Sequence, residues 1–390
     1  MRSRGIMGGS SWRIGRVSGI DIAIDQSWLL IFLLITMSVS TQLAESVAQP
    51  SPAARWLAAA LVAIAFFASI VLHELGHSLV AQALGIRVRS ITLFLFGGVA
   101  QLESEPRKPM HEIAIALAGP AMSFALGGLF WWLGGAAGES TLSREGLHFL
   151  GRVNLTLAVF NLAPGFPLDG GRVLRGVVWA ATGSFARATR IASGAGVAIA
   201  GLLMLGGVGL VFAARDFFGG LWLVFLGWFL FSASRSAVGA IEVERILGAV
   251  RVRDVLEPVR HAIVSADDGV AALLAAQILR SGLRTLWVVD PASDRLLGIA
   301  TLRELAGVPP ESREGTPVRA VMLPVERAAS VSPGDTALVG MQRLAAANVN
   351  QLPVLEAGRL VGALTRERLL GLLQAGLVLG EARVPGAVRT

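Results

Sequence analysis

"FFASIVLHELGHSLVAQALGI", residues 66–86, sets two histidines and a glutamate inside an otherwise apolar run. Residues four apart share one face of an α-helix, so His73 and His77 can offer their imidazoles to a single metal ion. Glu74, beside them, has the chemistry of a general base toward a water activated by that ion. Ionisable side chains within an apolar helix are rare and usually functional. Metal binding gives a physical reason to keep them there.

The rest of the chain makes that setting a membrane. Of 390 residues, 54% are hydrophobic and 16% charged, where a soluble domain carries nearer a quarter charged. Uncharged runs at 26–44, 113–138, 153–168, 191–214 and 217–234, with 56–86 broken only by the His-Glu-His group, predict about six transmembrane helices. The net charge of +7 is not read as a nucleic-acid footprint, because the basic residues cluster between alternate helices. Arg2, Arg4, Arg13 and Arg16 precede the first run. Arg87, Arg89, Arg107 and Lys108 lie between the second and third, and Arg172, Arg175, Arg187 and Arg190 follow the fourth. This positive-inside pattern predicts a multi-pass protein of the plasma membrane with both termini cytoplasmic. No cysteine is present, so no disulfide forms and no thiolate completes a metal site.

Catalytic zinc usually takes three protein ligands and keeps one open position. His111 and His148 flank helices, and His261 lies in the charged C-terminal part, so they fit poorly; His111 is the first alternative. The stretch "NLAPGFPLDGGRV", 161–173, offers Asp169. His73 falls about 27 Å beyond Arg55, and Asp169 about 26 Å beyond Arg152, at the helical rise. Pro164 and Pro167 should break the helix there. Irregular backbone at that depth requires a protein-lined or watery cavity, which a hydrolytic site also needs.

Together, "HELGH" and "NLAPGFPLDGG" resemble the paired motifs of the site-2 proteases, intramembrane zinc metalloproteases that cut transmembrane segments of other proteins. "FLFGGVAQLESEP" and "ALAGP" are similar to further stretches of that family. The resemblance implies one Zn2+ per chain held by His73, His77 and Asp169, with Glu74 as catalytic base. It also implies that Asn161 holds substrate backbone or the developing oxyanion. On an unbroken helix Asn161 would lie about 12 Å from Asp169 along the axis. Either the proline breaks fold the chain back, or Asn161 meets substrate farther up the cleft, or its amide bonds a neighbouring helix. The implied substrate is a membrane protein with a single transmembrane segment. Gly97 and Gly98 interrupt a strand-like run, "SITLFLFGGVAQL", which predicts either a short membrane-embedded strand segment able to pair with unwound substrate or a plain turn. Gly119-Pro120 is expected to serve helix packing.

After Ser236 the composition turns soluble and α/β, and a repeat appears. "VRDVLEP" (252–258) is echoed by "VRAVMLP" (318–324), and "LLGIATLREL" (296–305) by "LVGALTRERL" (360–369). The repeat resembles a tandem pair of CBS (cystathionine-β-synthase) domains. The domain plan is therefore a membrane metalloprotease domain at 1–240, a linker at 241–249, CBS domains at 250–309 and 316–376, and a tail at 377–390. The CBS resemblance implies either an adenosine nucleotide contacted by Thr301, Glu304 and Thr365, or homodimerisation. Arg368 stands where the family has its second ribose acceptor, so at most one nucleotide is expected. Arg280, Arg284, Arg303 and Arg366 could offset its phosphate charge. The rival reading is a CBS-regulated transporter or channel with a metal site, since broken helices and buried charge also suit transporters. No inverted helix repeat is visible, and conduction needs no base beside His73.

Overall fold

A computed structural model describes residues 3–4, 10–47, 50–94, 97–138, 141–259, 262–275, 285–293 and 295–378. The chain forms two compact units, Met1–Val238 and Gly239–Thr390.

The first unit opens with three strands that the composition did not announce: β1 (Ser3–Arg4), β2 (Ser10–Val17) and β3 (Ile20–Ile24). Ser18 and Gly19 join β2 to β3 with φ of 50° and 81°. Positive φ at both central residues of a two-residue loop suits the right-handed twist of a hairpin. Helices α1 (Trp28–Ser46) and α2 (Pro52–Ala83) follow, then the hairpin β4 (Val88–Phe94) and β5 (Gly97–Leu102). The run around Gly97-Gly98 is thus a strand pair and not a plain turn. The sheet order is β1-β2-β3-β4-β5, with β3 and β4 parallel and β5 at the edge. Ile20 and Ile91 on the sheet pack with Ala81 of α2 and with Ile115 of the next helix. That contact fixes the hairpin against the end of α2 that carries the histidines.

Four more helices complete this part: α3 (Pro109–Ala136), α4 (Leu142–Asn161), α5 (Asp169–Thr182) and α6 (Phe185–Phe212); α7 (Phe217–Ala249) runs on through the boundary between the units. Among the described residues, five helices are long and apolar enough to cross a membrane: α1, α2, α3, α6 and α7. The fourth expected run divides differently. Helix α4 begins at Leu142, includes Arg144, Glu145 and Arg152, and stops at Asn161. Its 20 residues suffice for a span of about 30 Å, but its charges leave it short of an uninterrupted apolar stretch. Arg152 lies inside it. Residues 241–249, the expected linker, are helical as the end of α7.

The second unit contains β6 (Ile263–Ser265), α8 (Val270–Leu273), β7 (Thr285–Val289), β8 (Leu296–Thr301), α9 (Leu302–Ala306), β9 (Leu323–Pro324), α10 (Ala337–Ala347), β10 (Gln351–Glu356), β11 (Arg359–Thr365) and α11 (Arg366–Val378). The echoed strand-strand-helix units are β7-β8-α9 and β10-β11-α11. The opening motif of each repeat is buried in the core of the other. Val252 and Val255 pack with Leu344, Leu352, Val354 and Leu364, and Val318 packs with Val264, Leu286, Val288 and Leu305. Backbone bonds follow the same exchange: Glu257 pairs with Ala363, and Leu323 with Ile299. The boundaries drawn from the repeat, 250–309 and 316–376, therefore run across the two cores. Residues 379–390, most of the expected tail, lie outside the described residues.

Candidate metal centre

Helix α2 starts where Ser51 accepts a hydrogen bond from the Ala54 N–H, with Pro52 at the first helical position. Both are strong initiation signals. It ends at Ala83 with Leu84 as its cap, and Gly85 (φ 82°) turns the chain into β4. Between these points His73 and His77 lie one turn apart, 3% and 6% exposed.

Asp169 is brought to them by the break after α4. A Cβ at Gly170 would stand 2.1 Å from the Leu162 carbonyl oxygen, and one at Gly171 2.3 Å from the Gly165 carbonyl carbon. Only glycine permits that approach. The chain therefore folds back, so that the residue after Asn161 touches the residue after Asp169, and the straight-helix separation does not apply. The Phe166 N–H donates to the Ala192 carbonyl at 3.1 Å, and Ser234 Oγ donates to the Phe166 carbonyl, pinning the loop to α6 and α7.

In the resulting group, His73 Nε2 lies 3.2 Å from Asp169 Oδ2, and His77 Nε2 lies 3.2 Å from Asp169 Oδ1. The two Nε2 atoms are 3.3 Å apart. Donor atoms about 2.0–2.1 Å from a tetrahedral zinc ion lie about 3.3–3.4 Å from one another, so these three side chains could hold that ion. The other ring nitrogens support the same reading. His77 Nδ1 is 2.7 Å from the Ile115 carbonyl, and His73 Nδ1 is 2.8 Å from Ser123 Oγ. A carbonyl only accepts, so His77 donates from Nδ1, which leaves Nε2 as the ring nitrogen placed to take a metal.

Helix α3 supplies these partners from one stripe, Ile115, Gly119 and Ser123. A Cβ at Gly119 would fall 2.1 Å from His77 Nε2 and 2.7 Å from His73 Nε2. Gly119 thus leaves room for the metal-facing edges of both rings, a role beyond the helix packing expected of it. Spacing of four along α3 was the available signal, but nothing local in the sequence marked it.

Glu74 lies beneath β5: a Cβ at Gly98 would stand 2.6 Å from Glu74 Cγ. Asn161 is the last residue of α4, partly buried. Of the remaining histidines, His148 stacks on Trp131 with centroids 5.1 Å apart. His111 does not join the metal-facing group, and His261 lies outside the described residues.

In the second unit, Thr301 and Thr365 line one cavity of about 1200 Å³, together with Trp287, Glu257, Arg366 and Glu367. Glu304 is not among its lining residues. Its carboxylate accepts from the Thr301 N–H at 2.9 Å and from the Thr301 hydroxyl, closing a capping box on α9. Arg366 lines the cavity and Arg303 does not. Arg280 and Arg284 lie outside the described residues.

The family model "Peptidase family M50" matches residues 61–145 and 135–204, and the "CBS domain" model matches 318–375. The chain is similar to sll0528 of Synechocystis sp., whose name proposes a zinc metalloprotease: 33% identity over 367 residues, 93% of this chain and 95% of that one. The chain belongs to peptidase family M50, the site-2 proteases. Rip3 of Mycobacterium tuberculosis, whose name also proposes a zinc metalloprotease, is 33% identical over 339 residues, 85% of this chain and 84% of that one. A solved structure, "Site-2 Protease from Methanocaldococcus jannaschii", is 30% identical, covers 58% of this chain and 95% of its own, and aligns with a TM-score of 0.43. As an M50 member the chain is a zinc metallopeptidase of membranes with a C-terminal CBS domain. The transporter reading gains nothing from these relatives.

Proposed function

We propose that this M50 protein hydrolyses a peptide bond within or near the single transmembrane segment of a membrane-tethered substrate, as a step of regulated intramembrane proteolysis. The observation that carries the reading is the convergence of the buried His73 and His77 with the partly buried Asp169, with Glu74 next to them beneath an edge strand. His73, His77 and Asp169 would hold one Zn2+. When bound, zinc polarises the scissile carbonyl and acidifies a water. Glu74 would serve as general base toward a water at the site and pass its proton to the leaving nitrogen. The Asn161 amide donates to the oxygen on which charge develops. A closed helix keeps its carbonyls in its own hydrogen bonds, so the substrate must unwind. The edge of β5 offers the extended segment backbone partners.

The alternation of basic clusters supports a plasma-membrane protein with both termini and the CBS pair cytoplasmic. Within that pair, the shared cavity supports one adenosine nucleotide, with Thr301 and Thr365 as contacts and Arg366 toward phosphate. Glu304 is engaged in its capping box. A chain that binds no nucleotide would leave the pair as a homodimerisation module. Incubating detergent-solubilised protein with single-span membrane proteins of the same genome tests the central reading. Cleavage by the wild type and none by Glu74→Gln is expected; equal cleavage by both removes Glu74 from the chemistry.

A further inference from the structure

Beside the metal-facing group lies a cluster of charges that the proposed reaction does not use. Glu112, in the first turn of α3, is 0% exposed, and Arg175 on α5 is 8% exposed. Arg175 Nε donates to Glu112 Oε1 at 2.7 Å, and Arg175 Nη2 donates to the same oxygen. The guanidinium is flanked by Phe166 and Phe185, 4.8 and 4.5 Å from their centroids. Arg172 Nε is 3.9 Å from Glu112 Oε1.

Desolvation cancels much of the attraction within a buried ion pair, so such a pair is a poor source of net stability. Its best-attested use is to select one arrangement over others. The arrangement at stake here is the setting of α5. Asp169 opens that helix directly after an irregular loop, and each residue of slip along a helix turns its face by about 100°. Arg175 lies six residues further on, about 9 Å along the axis. It therefore acts on the same rigid helix as Asp169, and its stacking on Phe166 reaches the loop itself. Helix α3 also supplies Ile115 and Ser123 to the two histidines. All three metal-facing side chains are thus registered against one helix, the histidines directly and Asp169 through Arg175 and Glu112.

We propose that the Glu112–Arg175 pair is a positioning device that sets the rotation and register of α5 on α3, so that Asp169 meets His73 and His77. The proposal rests on reading those three residues as the zinc ligands. Loss of groups that support metal ligands typically costs about 10–100-fold in affinity. Competition of the full-length solubilised protein with a fluorescent zinc chelator measures this. Glu112→Gln is expected to weaken zinc within that range. Arg175→Lys, which keeps the charge but loses the planar fork, should do the same and serves if Glu112→Gln does not fold. The deciding comparison repeats either substitution on an Asp169→Ala background. With Asp169 absent, the residual affinity of the two histidines should not fall further. An equal loss in both backgrounds makes the pair general scaffold and overturns the proposal, as does no loss in either. If Asp169→Ala alone leaves zinc affinity intact, the ligand assignment itself fails instead.

Discussion

Placing one methyl group at Gly119 should empty the metal centre. The added Cβ would stand 2.1 Å from His77 Nε2, 2.4 Å from His77 Cε1 and 2.7 Å from His73 Nε2. Ordinary contact needs about 3.5 Å, so the His77 ring must retreat by more than about 1 Å. Metal-ligand distances tolerate only about 0.2 Å. The ring cannot slide freely, because its Nδ1 is tied to the Ile115 carbonyl at 2.7 Å, on the same helix that carries the new methyl. Separating α3 from α2 is also costly, since Gly76 already lies close to the Ala118 carbonyl, where a Cβ would stand at 2.9 Å. Overpacking costs about 1–3 kcal/mol of stability, which leaves a folded protein. Zinc affinity should fall by at least about 100-fold, the upper end of the penalty for disturbing groups that support ligands. The control is Gly128→Ala on the same helix, where an added Cβ meets nothing within 4 Å. It should gain up to about 1 kcal/mol of helix propensity and keep its zinc. Chelator competition on both purified proteins, beside thermal unfolding, reads the difference. A Gly119→Ala protein with wild-type zinc affinity would refute this account of the helix contact.

Asp169→Asn should lower zinc content and proteolysis together, because an amide is a far weaker ligand than a carboxylate; metal analysis with a cleavage assay checks it, and full retention of both would turn attention to His111. Ser123→Ala removes the His73 Nδ1 partner and should weaken zinc by about 10–100-fold while Ser123→Thr retains most of it, as read by chelator competition. Calorimetric titration of the full chain with ATP, ADP and AMP should show at most one nucleotide per chain, lost in Thr301→Ala and Thr365→Ala. Two tight sites would contradict the reading of Arg368.

The convergence of His73, His77 and Asp169 was legible because metal chemistry admits few side-chain types and a helix admits few spacings. His73 and His77 satisfy both rules within five letters, and Asp169 sits in a stretch whose two prolines announce a break. The fold-back that lets Asn161 and Asp169 share one region was only half legible. Prolines say that a helix stops, but the direction of the next segment depends on Gly170 meeting the Leu162 carbonyl, a contact without a local signature. The Ile115 carbonyl could not be read at all, since every residue has one. The strands of the N-terminal sheet did carry a signal: Ile20, Ile22 and Ile24 alternate after a Ser-Gly turn. The arginines around them also fit the positive-inside pattern, which masks that signal. In the second unit the repeat was visible, but the exchange of Val252 and Val318 between cores was not, because a repeat shows what is similar and not which copy each segment packs into.

The most direct measurement compares wild-type and Glu74→Gln proteins, both purified with their metal, on a single-span membrane substrate, with zinc content determined on the same samples. Glu74 stands beside the metal-facing group without belonging to it, so the amide should keep zinc and lose peptide-bond hydrolysis. A Glu74→Gln protein that binds zinc and cleaves at the wild-type rate would contradict the account.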